Sequence, residues 1–235
     1  MRFLPITILP LLFLSFPEAN AQKLSQVVEK VIEKTQTVKK GDVLDLRSEK
    51  AEVVISRGEP GVVKVKLLFT TSHADKSVAE TEMRFHKYAF GLKGNTFFVQ
   101  QAYFFRDVKK VLSQLSARVE ITIPPEMPVV AVGEYTDFTL TNGSGSNDFR
   151  MHFGKLILDN VSGSIKVYTN YGDIELNQCT GEIAIDATRS DILLRMTNPV
   201  NNGFIQILGK DQIVDTENIN IRNKSGTIKV ENSTP

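Results

Sequence analysis

From Gly154 the chain repeats one nine-residue phrase: GKLILDNVS, then GSIKVYTNY from Gly163, GDIELNQCT from Gly172, GEIAIDATR from Gly181 and SDILLRMTN from Ser190. The third and fifth places are aliphatic every time: Leu156 and Leu158, Ile165 and Val167, Ile174 and Leu176, Ile183 and Ile185, Ile192 and Leu194. Such alternation means a strand with one buried face, and a glycine after a polar cluster means a turn. A strand recurring at fixed length can hide its apolar face only against its neighbours. The pattern predicts an all-β fold, a parallel β-helix or β-solenoid with about nine residues per strand-turn unit. Alternate units also resemble each other. The first and third close on Val161-Ser162 and Cys179-Thr180, the second and fourth on Tyr171 and Arg189, which implies two strands per coil of about eighteen residues. Ile219, Ile221, Ile228 and Val230 resume the phase, and GFIQI from Gly203 reads as an out-of-phase copy beside an insertion.

Before the repeats the alternation is less regular. Residues 22–37 carry aliphatics that fit a helical face or a strand equally. AEVVISRGEPGVVKVKLLF reads as a hairpin, ADKSVAETEMRF as a short helix, and YAFGLKGNTFFVQQAYFF as an aromatic hairpin turning at Lys93-Gly94-Asn95. RDVKKVLSQLS is a basic connector with helical character, and ARVEITIPPEM is a strand ended by prolines. These segments predict an irregular, β-rich N-terminal cap containing a short helix. The opening residues, MRFLPITILPLLFLSFPEANAQ, have the charge, apolar run and Ala-Asn-Ala close of a secretory leader. The expected organisation is a signal peptide at 1–21, a β-rich part at 22–128 and repeats at 129–235, the last two as one continuous domain. After cleavage no further apolar stretch is long enough to span a bilayer, so a secreted, periplasmic or cell-surface protein is expected.

A net charge of +1 gives no electrostatic footprint for nucleic acid. The lone Cys179 sits where other units carry small residues and reads as core packing rather than a nucleophile. His73, His86 and His152 lack metal-ligand spacing. The sequons at Asn142, Asn160, Asn223 and Asn232 read as turns, because asparagine tolerates a left-handed backbone. No catalytic, cofactor or metal residues are assigned, and no enzymatic activity is expected. The acidic residues are the one chemical feature to weigh. An eighteen-residue coil stacks Lys155, Asp173 and Asp191 at one corner, roughly 5 Å apart. Asp173, Asp191 and Glu175, with Tyr168 and Tyr171 as aromatic neighbours, are the candidate ligand-facing residues, and Lys155 offsets the repulsion between the aspartates. A solvated edge is the plainer reading of the same charges.

The leader, the VEITIPPEMPVVAV strand that ends in a proline-marked bend, and the G-x-aliphatic-x-aliphatic repeats together resemble a bacterial family of secreted β-strand-repeat domains labelled "putative adhesin". The resemblance implies a stacked-strand domain outside the cytoplasm and brings no catalytic residues. The reading is a non-enzymatic domain presenting a rigid polar face to an envelope glycan or protein. The alternatives are a polysaccharide-active enzyme using the outward carboxylates, or a self-assembling structural component of the envelope.

Overall fold

Strands form where apolar and polar residues alternate, and they make up most of the described residues. The computed structural model describes residues 25–106, 108–196, 204–208, 211–215 and 219–232; the expected leader lies outside them. In chain order the strands are β1 (Gln26–Thr37), β2 (Val43–Glu49), β3 (Ala51–Arg57) and β4 (Val62–His73). A helix α1 (Lys76–Glu82) and a 3-10 turn (Met83–Phe85) lead to β5 (His86–Lys93), β6 (Thr96–Tyr103), β7 (Gln114–Ile123), β8 (Val129–Glu134) and β9 (Asp137–Thr141). Two long strands follow, β10 (Ser146–Asp159) and β11 (Ser162–Asn177), then β12 (Thr180–Thr188) and β13 (Ser190–Met196). The last four are β14 (Phe204–Leu208), β15 (Asp211–Asp215), β16 (Ile219–Asn223) and β17 (Gly226–Asn232).

The seventeen strands of the described residues belong to one curled sheet system, whose pairings trace two rows. The first runs β5-β6-β2-β8-β10-β11-β12-β16-β15-β14. The second runs β1-β4-β7-β3-β9-β10-β11-β13-β17. Strands β10 and β11 belong to both, because each bends halfway along. In β10 the bend is Phe153-Gly154, both left-handed at φ +63° and +95°. Glycine is required at the second place: a Cβ there would lie 2.2 Å from the Thr136 carbonyl oxygen one strand away. Inward side chains of both rows, including Leu46, Val53, Phe138, Phe149, Ile165 and Ile174, form one buried cluster.

In the repeat region the register is constant. Phe149 lies against Val167, Ile165 against Ile183 and Ile174 against Ile192, each eighteen residues on. The third- and fifth-place aliphatics of all five units are buried. A regular parallel β-helix is nevertheless not the fold. The sheet is mixed, with antiparallel pairing of β1 with β4, β4 with β7, β5 with β6, and β14 through β16. Nine residues do not make an independent strand-turn unit either, since β10 and β11 pass through two units unbroken. Nor is the N-terminal part a cap: β2 and β3 pair directly with β8 and β9 and extend the same two rows.

Three local readings also change. The hairpin expected of β3 and β4 does not form, because β7 lies between them, parallel to β3 and antiparallel to β4. Residues 26–37 are strand, pairing with β4 over their whole length. Residues 108–113 of the basic connector are irregular rather than helical and its last three residues already belong to β7; Glu82 pins the junction by accepting the backbone N–H groups of Leu112 (3.0 Å) and Ser113 (2.7 Å). Burial alone would raise the Glu82 pKa, but these bonds hold it below the usual carboxylate range. The aromatic hairpin β5-β6 and the helix α1 form as expected.

Candidate functional site

Outward side chains on the ten-strand row fall into columns, because every partner in register presents the same face. One column reads Gln100, Arg47, Val132, Arg150, Tyr168, Asp186 and Arg222. Beside it runs Glu49, Glu134, His152, Asn170 and Thr188. The small residues Ala102, Val132, Gly133 and Ala184 line depressions on this face. One depression of about 660 Å³ is lined by Arg47, Glu49, Gln100, Glu134, His152 and Asn170, among others. A second, of about 630 Å³, is lined by Asp148, Lys166, Asp186 and Arg222, among others. Arg150 and Tyr168 line both, so the two depressions adjoin on one outer face and are together called the groove.

Tyr168 is 50% exposed. Arg150 is set by Asp148 two residues earlier, its Nη2 donating to Oδ2 at 3.1 Å and its Nε to Oδ1 at 3.3 Å. This pairing raises the guanidinium pKa above its ordinary value. The groove thus offers planar polar groups around an exposed ring, arranged by the sheet rather than by loops.

The residues singled out from sequence occupy three places. Tyr168 is in the groove. Asp173 and Asp191 sit at one edge, where their carboxylates accept backbone N–H groups: Asp173 from Asp191 at 3.0 Å, and Asp191 from Thr227 at 3.0 Å. Lys155 stands in register with Asp173 at that corner. Glu175 lies on the outer face of the other row, between the Lys155 ammonium (2.8 Å) and the Arg195 guanidinium (2.6 Å). The hydrogen bond from Lys155, supported by Asn177 and Arg195, keeps its pKa low.

Tyr171 belongs to a ladder of rings on the same edge as the aspartates. Tyr135 and Phe153 stack at 4.6 Å, Phe153 and Tyr171 at 5.1 Å, and the Arg189 guanidinium covers Tyr171 at 5.2 Å. Sequence reasoning missed Arg150 and His152 in the groove and Tyr135 and Phe153 in the ladder. The eighteen-residue offset from Tyr168 and Tyr171 points to Arg150 and Phe153. The histidines do unrelated things: His86 is buried, His73 Nδ1 receives the Asp75 backbone N–H at 3.0 Å, and His152 lies beside Phe153. Cys179 is buried, which pushes its thiol up to about 11. Asn142 and Asn160 are left-handed turn residues, whereas Asn223 is buried in β16 and donates to the Ser190 carbonyl at 2.8 Å.

No family model matches the chain, and no curated protein matches it. Solved structures do. One is described as a putative cell adhesion protein from Clostridium sporogenes, 14% identical, covering 87% of this chain and 100% of its own at a TM-score of 0.34. A putative adhesin from Bacteroides fragilis is 14% identical, covering 87% of this chain and 97% of its own at 0.31. A putative lipid binding protein from Parabacteroides distasonis is 8% identical, covering 71% and 83% at 0.28. The solved structures to which this chain is similar thus include proteins described as putative adhesins, the class that its sequence resembles.

Proposed function

We propose that the chain is a non-enzymatic binding domain, placed outside the cytoplasm by its leader, that takes up a cell-envelope glycan on the outer face of the ten-strand row. The observation that carries this reading is the open groove centred on Arg150 and Tyr168. A sugar offers hydroxyl groups around its rim and C–H groups on its faces, and recognising it calls for planar hydrogen-bonding groups beside an exposed ring. The groove supplies both. Rigid strands hold these groups in place, so little ordering cost is added on binding. The candidate carboxylates support a binding role over hydrolysis: Asp173 and Asp191 are engaged with backbone amides and Glu175 lies between two cations.

Calorimetric titration with solubilised envelope glycan tests this. Tyr168→Ala and Arg150→Ala should each weaken binding about tenfold, the loss of roughly 1.4 kcal/mol. Absence of binding, or binding indifferent to both changes, would remove the proposal.

A further inference from the structure

The two edges of the strand rows turn their corners differently. On one edge the left-handed positions are Asn142, Asn160 and Gln178, with φ between +53° and +55°. Asparagine reaches that region readily. On the other edge they are Lys50, Tyr135, Phe153, Tyr171 and Arg189, with φ between +51° and +63°. For bulky side chains the left-handed region costs roughly 1–2 kcal/mol per residue. Stacking of neighbouring rings returns about 0.5–1.5 kcal/mol per pair. The rings therefore add little to folding that asparagine would not, yet Tyr135 and Tyr171 remain 53% and 42% exposed. Strain kept at an exposed edge calls for a use.

What the ladder can do follows from its geometry. Phe153 is covered on both faces by Tyr135 and Tyr171, and Tyr171 is covered by Phe153 and Arg189. Stacking thus leaves no free face on Phe153, and Arg189 also holds the Tyr171 hydroxyl at 2.8 Å, so the middle of the ladder presents ring edges, the positive pole of the aromatic quadrupole. The ladder is a rail, not a platform. Its link to the groove is His152, whose ring lies 4.6 Å from Phe153 and 6.1 Å from Tyr171 while it lines the groove. The groove column beside the rail, Glu49, Glu134, His152 and Asn170, advances one strand at a time. That advance is about 4.8 Å, close to the length of one pyranose unit in a chain.

Resting on the glycan reading above, the geometry points to a linear polymer as the ligand, lying across the strands with one sugar per strand along Glu134, His152 and Asn170, and guided by the Tyr135-Phe153-Tyr171 rail. Affinity then grows with ligand length over several rungs, and an isolated sugar or disaccharide is a poor ligand.

The test uses β-1,4-linked N-acetylglucosamine oligomers of two, four and six units with the full chain. The hexamer should bind at least tenfold more tightly than the dimer. Phe153→Asn and Tyr171→Asn should leave the melting temperature unchanged or raise it, since asparagine suits the left-handed corner, while weakening the hexamer at least fivefold and the dimer hardly at all. Equal binding of dimer and hexamer, or hexamer binding unaffected in both stably folded variants, overturns the polymer inference but leaves the glycan reading standing. Failure of every oligomer together with solubilised envelope glycan overturns both.

Discussion

The carboxylate of Asp173 accepts the backbone N–H of Asp191 at 3.0 Å, eighteen residues further along the chain. The same bond recurs above and below it: Asp137 accepts from Lys155 at 2.8 Å, and Asp191 from Thr227 at 3.0 Å. An acidic stack that suggests acid-base chemistry in the sequence therefore has a structural use at a strand corner. It satisfies amides just beyond the bends, where the ladder is interrupted.

If the acceptor rather than the charge is what matters at Asp173, the two obvious substitutions separate. Asp173→Ala should destabilise by about 1 kcal/mol, the net worth of one such bond. Asp173→Asn, which keeps an acceptor oxygen, should stay within about half of that. Urea denaturation reads both, and an asparagine variant as weak as the alanine one would assign the effect to charge instead.

Arg57 tests how the proline bend is held. Its Nη1 donates to the carbonyls of Pro124 (3.0 Å) and Met127 (2.7 Å), and its Nη2 to the Ser144 carbonyl (3.3 Å) and Asn147 Oδ1 (3.1 Å). Burial lowers this guanidinium to about 10, still charged at neutral pH. One side chain thus ties the β7-β8 turn to the β9-β10 turn. Arg57→Ala strips donors from partners that include the fully buried Asn147, and should cost about 3 kcal/mol. Arg57→Lys, a point donor in place of a fork, should recover less than half. Equilibrium denaturation of the three proteins decides it, and a lysine variant equal to wild type would mean that the fork geometry is idle.

The repeat was legible because side-chain alternation and corner residues are local signals. Ile165, Ile174 and Ile183 are buried as the phase requires, and the recurrence of a large side chain at Tyr171 and Arg189 reports the eighteen-residue register. What failed depends on partners far off in sequence. Nothing within β3 or β4 says that β7 will come between them. β1 was ambiguous because Val27, Val28, Val31 and Ile32 fit a helix, and twelve residues of pairing with β4 override that preference. Its inward face carries Lys30 and Lys34 beside Val28 and Ile32, a pattern suited to an edge that must not recruit another strand. The groove was only half visible: Tyr168 lies within the repeat, but Arg47, Glu49 and Gln100 reach it through strands placed by long-range pairing.

His86 predicts how stability follows pH. Its ring stacks on Phe69 at 4.7 Å, lies 5.1 Å from Tyr103, and has Nε2 3.2 Å from the Thr71 hydroxyl oxygen, with the residue only 7% exposed. Burial, aided by the nearby Lys30 charge and opposed by the Thr70 backbone, lowers its pKa to about 4 from an ordinary value of 6.5. Between those two values the unfolded chain binds a proton that the native ring refuses. The contribution is therefore complete above about pH 6.5 and is lost progressively as pH falls toward 4, amounting to roughly 3 kcal/mol at most. His86→Phe should flatten this part of the profile. Carboxylates such as Glu82 and Glu175, whose low pKa values also favour the folded state, titrate in both proteins, so the difference between them isolates the imidazole. Urea midpoints at pH 8, 6 and 4.5 should converge for wild type and variant as the acid limit is approached if wild type starts the more stable. Parallel midpoints across that range would show that His86 takes up its proton as readily in the fold as outside it.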